Sequence, residues 1–244
     1  MQIDGININY INYGKGEDTV VLLHGWGQNI EMMKMLGDPL SKFCNVIILD
    51  LPGYGLSSTP STPWSVYDYA EMLKKLLDNL NVKNPILIGH SFGGKISLLY
   101  ASKYDVKKLV LFGSPFKKEV TKTSLKLKIL KKLKQVPGLN KLEGFAKRHI
   151  GSEDYRNASP IMREILVQTV NLDIEEEVKK ITAPTLIIWG DLDEAVPLER
   201  AYQLEKLIPD SAVILYEGCT HYAYLERLGQ TISVLRNFIG GSNE

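Results

Sequence analysis

Apolar residues in this chain follow two periods in alternation. Short unbroken apolar runs recur at Thr19–Leu23, 45–50, Lys108–Phe112, 184–189 and 212–216, with a briefer one at 86–88. Runs without polar alternation suit strands buried on both faces. Between them, apolar residues stand three and four apart, in 32–43, in 65–80 (Val66, Tyr69, Met72, Leu73, Leu76 and Leu77), after Lys95 (Ile96, Leu99 and Tyr100) and near the end (Leu225, Leu228, Ile232, Leu235 and Phe238). That spacing predicts helices with one buried face, and Ser65 stands where an N-cap belongs. A further helix is expected after Val196-Pro197. The opening residues differ: Ile6, Ile8 and Tyr10 alternate with polar neighbours until Gly14 and Gly16, which predicts one or two antiparallel strands. Strand–helix alternation with short connections predicts an α/β fold, a mostly parallel sheet wound on both faces. In such sheets ligands sit beyond the C-terminal strand ends.

One stretch breaks the rhythm. Residues 116–181 contain no buried-strand run and are punctuated by Pro137-Gly138, Gly144, Gly151 and Pro160, so they read as helical segments inserted between two sheet strands. The predicted organisation is a core of 1–115 and 182–244 with 116–181 inserted. The first inserted helix carries Leu125, Ile129, Leu130, Leu133 and Val136 on one face, with Lys122, Lys126, Lys128, Lys131, Lys132 and Lys134 around the rest. Ile161, Ile165, Leu166 and Val170 predict the apolar face of another.

Composition is that of a globular domain: 244 residues, 44% hydrophobic, 23% charged, net charge +1. A near-neutral chain has no whole-molecule attraction for nucleic acid or membrane. The charge is uneven, however. Between Lys117 and Arg148 the cations, Lys141 and Lys147 among them, face only Glu119 and Glu143. A solvated helix face is the ordinary meaning of such a run; an anionic partner, either a carrier protein or a lipid surface, is the sharper one. Two distant cysteines, Cys44 and Cys219, with no recognisable secretory signal, predict reduced thiols and a cytoplasmic protein. No apolar run reaches transmembrane length. No metal-ligand cluster, phosphate loop or nucleotide fingerprint stands in the sequence, so no metal and no cofactor is implied.

The chemistry concentrates at 85–94, PILIGHSFGG. The apolar run 86–88 leads to a turn opened by Gly89, with Ser91 at its middle and helical spacing from Lys95. A strand-to-helix corner this tight leaves no room for side chains two before and two after the serine, where Gly89 and Gly93 stand. The simpler alternative is a glycine-rich turn with an N-capping serine. Ahead of it, Thr19–Leu23 runs into His24-Gly-Trp-Gly, whose glycines let backbone amides face a ligand. The N–H groups of Trp26 and Phe92 are the expected oxyanion donors, and His24 is expected to bond to backbone. Asp50 precedes Leu-Pro-Gly-Tyr-Gly-Leu-Ser and reads as an acceptor for that loop's amides.

HGWG, DLPGYGLS and GHSFGG, in this order and spacing, resemble the α/β-hydrolase fold family in its lipase and esterase branch, over nearly the whole chain outside 116–181. The resemblance implies a nucleophile elbow at Ser91, a helical cap at 116–181, and the chain order nucleophile, acid, histidine. Four histidines compete to be the base. His90 adjoins the serine but leaves a sharp turn in another direction, His24 lies in the oxyanion loop, and His149 lies in the inserted section. His221, on the loop after the last strand, fits. For the acid, the family pattern of glycine, two residues, aspartate and a following Val-Pro matches Gly190, Asp193 and Val196-Pro197. Asp191 then reads as a turn former and Glu194 as a lesser candidate. The implied activity is hydrolysis of carboxylic esters of small or medium acyl groups. Thioesters, carrier-protein esters and carbon–carbon bonds are alternatives on the same residues. A slow-turnover ligand-binding receptor is the alternative of another class.

Overall fold

The apolar runs are the strands of one sheet. In the computed structural model, which describes residues 1–118 and 153–240, these are β3 (Tyr10–Gly14), β4 (Thr19–Leu23), β5 (Asn45–Leu49), β6 (Ile86–His90), β7 (Lys108–Phe112), β8 (Thr185–Gly190) and β9 (Ser211–Tyr216), in the order β3-β5-β4-β6-β7-β8-β9. All pairings are parallel except β3 with β5. The first residues form a separate two-stranded ribbon, β1 (Gln2–Ile3) and β2 (Ile6–Asn7), beside the sheet rather than within it. Alternate residues of the runs feed two cores. Val20, Leu22, Val46, Ile48, Ile86 and Ile88 face one, while Val21, Leu23, Ile47, Leu49, Leu87 and Ile187 face the other. Burial on both faces is why these strands carry no polar alternation.

Helices cover both faces: α1 (Ile30–Leu40), α2 (Val66–Asn79) and α3 (Phe92–Ala101) in the first half, with three short helices described between β7 and β8, namely α4 (Glu153–Asn157), α5 (Pro160–Asn171) and α6 (Glu175–Val178). Then come α7 (Glu199–Leu207), α8 (Ala223–Glu226) and α9 (Leu228–Ile239). Ser65 caps α2 through a capping box with Asp68.

Four features differ from the sequence expectation. α1 starts earlier because the Asn29 side chain accepts the Glu31 amide as an N-cap. β6 runs on through Gly89 to His90, and α3 begins directly after Ser91, so the corner is tighter than the apolar pattern implied. The last predicted helix is two helices, broken at Arg227, whose φ of −119° and ψ of 43° are not helical. In α5 the buried stripe is Met162, Ile165 and Thr169, whereas Val170 is exposed. Position 170 is turned about 100° from 169 and so leaves the stripe. The buried Lys95 ammonium of α3 fixes this helix by donating to the carbonyls of Thr169 (2.8 Å) and Leu172 (2.5 Å), at the end where α5 has carbonyls to spare. The lysine-bearing helix expected around 122–136, together with Glu119, Gly144, His149 and Gly151, lies outside the described residues. No helix among the described residues is long and apolar enough to cross a membrane.

Candidate active site

Ser91 sits at the junction of β6 and α3 with φ 52° and ψ −112°, a conformation that costs a non-glycine residue energy. Its surroundings hold it there. The Ser91 amide donates to the Phe112 carbonyl (2.9 Å), the Lys95 amide donates to the Ser91 carbonyl (3.0 Å), and the Gly93 amide donates to the His24 carbonyl (3.1 Å). Strand and helix approach so closely that a Cβ on Gly89 would lie 2.6 Å from the Gly93 carbonyl oxygen and the Gly94 Cα. The glycines are therefore required by packing.

After β4, His24 is fully buried. Its Nε2 accepts the Leu51 amide (2.9 Å), so the proton is on Nδ1, which donates to the Gly25 carbonyl (2.7 Å). Burial pushes its pKa down to about 4, and this histidine is structural, as the sequence reading had it. Asp50 also acts as expected. One carboxylate oxygen accepts the Ile30 amide and the other the Leu56 amide and the Asn9 side chain, each at 2.8 Å. The Trp26 ring meets the Phe92 ring edge-on, with centroids 5.3 Å apart. These contacts bring together the two residues expected to supply oxyanion donors. Neither of their amides donates to another described residue.

The loops after β8 and β9 meet across Asp193 and His221. One Asp193 oxygen accepts the amides of Ala195 and Val196 (2.9 Å each), and the other accepts His221 Nδ1–H at 2.8 Å. The Asp193 carboxylate is 1% exposed and the His221 ring 15%. With Nδ1 committed to the carboxylate, His221 Nε2 keeps its lone pair and bonds to no other described residue. Asp191 accepts the Gly218 amide (2.7 Å), which ties the same two loops without touching His221. Glu194 has no such contact and is exposed.

Ser91 and His221 line one cavity of about 670 Å³, a size suited to a small molecule. Trp26, Gln28, His90, Leu192, Glu194 and Tyr222 share its wall. Ser91 and His221 do not hydrogen-bond to one another, and contacts of this kind commonly tighten only when substrate binds.

Two residues were missed by sequence reasoning. His90 makes no bond to Ser91, yet its ring centroid is 4.7 Å from that of His221, so it stands beside the histidine expected to be the base rather than away from the site. Gly113, at φ +50°, lies beneath His221, where a Cβ would come 2.8 Å from Nδ1. A glycine ending β7 was a signal for a turn, and nothing in the pattern said what it packed against. Among the described residues no group of three or more His, Cys, Asp or Glu is placed to hold a metal ion.

Comparisons with known proteins agree with this fold. The family model described as alpha/beta hydrolase fold matches residues 18–123 and 113–228. A 2-hydroxy-6-oxononadienedioate/2-hydroxy-6-oxononatrienedioate hydrolase of Paraburkholderia phymatum is 30% identical over 96% of this chain and 91% of its own. A pimeloyl-[acyl-carrier protein] methyl ester esterase of Aliivibrio fischeri is 28% identical over 93% of this chain and 95% of its own. Among solved structures, a bacterial membrane phospholipase A superposes with a TM-score of 0.79 at 28% identity, covering 99% of this chain and 84% of that one.

Proposed function

The chain belongs to the α/β-hydrolase family, and from that premise we propose that it is a serine hydrolase cleaving carboxylic esters of small or medium acyl groups. The observation that carries the reading is the His221–Asp193 pair at 2.8 Å, with the second imidazole nitrogen unspent beside the cavity that Ser91 lines. Ser91 Oγ attacks the acyl carbon while His221 Nε2 takes the hydroxyl proton, and Asp193 holds the imidazolium. The amides of Trp26 and Phe92 donate to the oxyanion. His221 returns the proton to the departing alcohol, leaving Ser91 acylated. Water, deprotonated by the same nitrogen, then releases the acid. Residues 116–181 act as a cap in which substrate choice resides. The free, buried thiols of Cys44 and Cys219 support a cytoplasmic setting.

A second reading has its own support. The Aliivibrio relative is named for a carrier-protein ester, and the lysines between 117 and 134 suit an acidic carrier or an anionic lipid head group. The Paraburkholderia relative is named for a different hydrolysis, so carbon–carbon substrates belong in the same screen, as do thioesters. A fluorophosphonate should label the wild type at Ser91 and leave Ser91→Ala unlabelled. In Ser91→Ala, turnover of p-nitrophenyl esters should fall by at least about 10⁴-fold. Wild-type-like turnover in that variant overturns the reading. Running the ester series beside a carrier-bound ester and a thioester identifies the preferred class.

A further inference from the structure

His90 is the last residue of β6 and the covalent neighbour of Ser91, and only 1% of it is exposed. Its ring stands between two oxygens. Nε2 is 3.1 Å from the His221 main-chain carbonyl, and Nδ1 is 3.3 Å from Gln28 Oε1. Gln28 Oε1 is already supplied, since it accepts the Gly25 amide at 3.0 Å. The His221 carbonyl has no other donor among the described residues. Burial, reinforced by the neighbouring His221, holds His90 well below the ordinary histidine pKa, so the ring is neutral and has one proton to give. The shorter contact and the otherwise unsupplied acceptor both put that proton on Nε2. The ring has little freedom to turn. Tyr224 and Tyr222 stand at centroid distances of 4.9 and 5.2 Å, and a Cβ on Gly25 would lie 2.8 Å from Nδ1.

The topology explains why such a link matters. Ser91 follows β6, and His221 follows β9, three strands away in the order β6-β7-β8-β9. At the ordinary strand spacing that is a span of about 14 Å. The loop after β9 must cross it to bring an imidazole to the serine, and the sheet register does not extend into that loop. The path from Ser91 through the buried His90 to the His221 carbonyl is short. Resting on the serine-hydrolase reading above, we propose that His90 is a positioning residue, which sets the distance between nucleophile and base by donating Nε2–H to the main-chain carbonyl of His221.

Side-chain length makes this testable. A glutamine amide nitrogen reaches about as far as imidazole Nε2, an asparagine only as far as Nδ1, and phenylalanine fills the space with no donor. Active sites are titrated with a fluorophosphonate, and kcat per titrated site and KM are measured for each variant. His90→Phe and His90→Asn should lose about 10–100-fold in kcat with KM nearly unchanged, and His90→Gln should recover most of the loss. A purely structural role would lower the titratable fraction and leave kcat per site alone. Wild-type kcat per site in His90→Phe, or a glutamine variant no better than phenylalanine, overturns the proposal. Because variants here can fail to fold, imidazole nitrogen NMR on the wild type gives a second test. His90 should carry its proton on Nε2, and a proton on Nδ1 overturns the assignment. Absence of labelling at Ser91 in the wild type would instead sink the serine-hydrolase reading, and the tautomer would still decide the hydrogen bond.

Discussion

The same two residue types meet the same end of the sheet twice, with different amounts of bonding capacity left over. At the ends of β4 and β5, His24 and Asp50 are spent on the backbone: both ring nitrogens are engaged, and the carboxylate receives two amides and the Asn9 side chain. At the ends of β8 and β9, Asp193 receives two amides and one imidazole N–H, and His221 retains a nitrogen facing the cavity. A histidine and an aspartate at strand ends thus serve in one place to hold loops and in the other to leave an imidazole nitrogen unspent. What separates the two is unspent valence, which residue identity alone does not reveal.

Exchanging each carboxylate for its amide breaks the comparison most sharply. Asp193→Asn should lower kcat by about 10⁴, because an amide does not fix the Nδ1–H tautomer, while its unfolding midpoint changes little. Asp50→Asn should do the reverse. It keeps kcat per folded molecule within a few-fold and loses about 1–3 kcal/mol of stability, since an NH₂ group then faces an amide N–H. Asp191→Asn can still offer an oxygen to the Gly218 amide and should lose less than tenfold. Turnover of a p-nitrophenyl ester and urea titration of the three variants decide it. A 10⁴-fold loss at Asp191 with little at Asp193 would move the acid to Asp191.

A smaller effect comes from beneath the second pair. Gly113→Ala places a methyl 2.8 Å from His221 Nδ1 at a backbone φ of +50°, so either the ring or the loop shifts. A displacement of that order should cost about 10–100-fold in kcat. Unchanged turnover would mean that the His221 loop relocates without loss, and that its position is less tightly defined than that of the His24 loop.

How much of this was legible in the sequence follows from the range of each interaction. The strands, the N-cap at Ser65 and the serine corner are set by residues within a few positions of one another, and they could be read directly. Asp50 was legible for the same reason, because the loop it supports follows it in the chain. His90 was not, because its partners are 62 and 131 residues away and depend on how two loops cross the sheet. Lys95 looked like the opening of an ordinary helix, and only the return of α5 gives its ammonium carbonyls to bind. The break at Arg227 falls inside an apolar pattern that one continuous helix would also satisfy.

The least dramatic test concerns stability rather than rate. His24 titrates near 6.5 in an unfolded chain, and burial lowers it to about 4 in the fold, against the opposing pull of the Gly25 carbonyl and Asp50. Between those two values the unfolded chain binds a proton that the folded chain refuses. The contribution of His24 is therefore fully present above pH 6.5, is lost as pH falls toward 4, and changes no further below that. At 1.36 kcal/mol per pKa unit the whole loss is about 3 kcal/mol. His90, also held neutral by burial and by His221, tilts the wild-type profile in the same direction. Only the difference between wild type and a His24 variant isolates the first pair. His24→Asn has no proton to gain, so the fall in urea-unfolding free energy from about pH 7 to pH 4 should be smaller in it by about 3 kcal/mol. Equal falls in both proteins would mean that His24 accepts a proton without leaving its place, and that the β4–β5 pair has bonding capacity to spare after all.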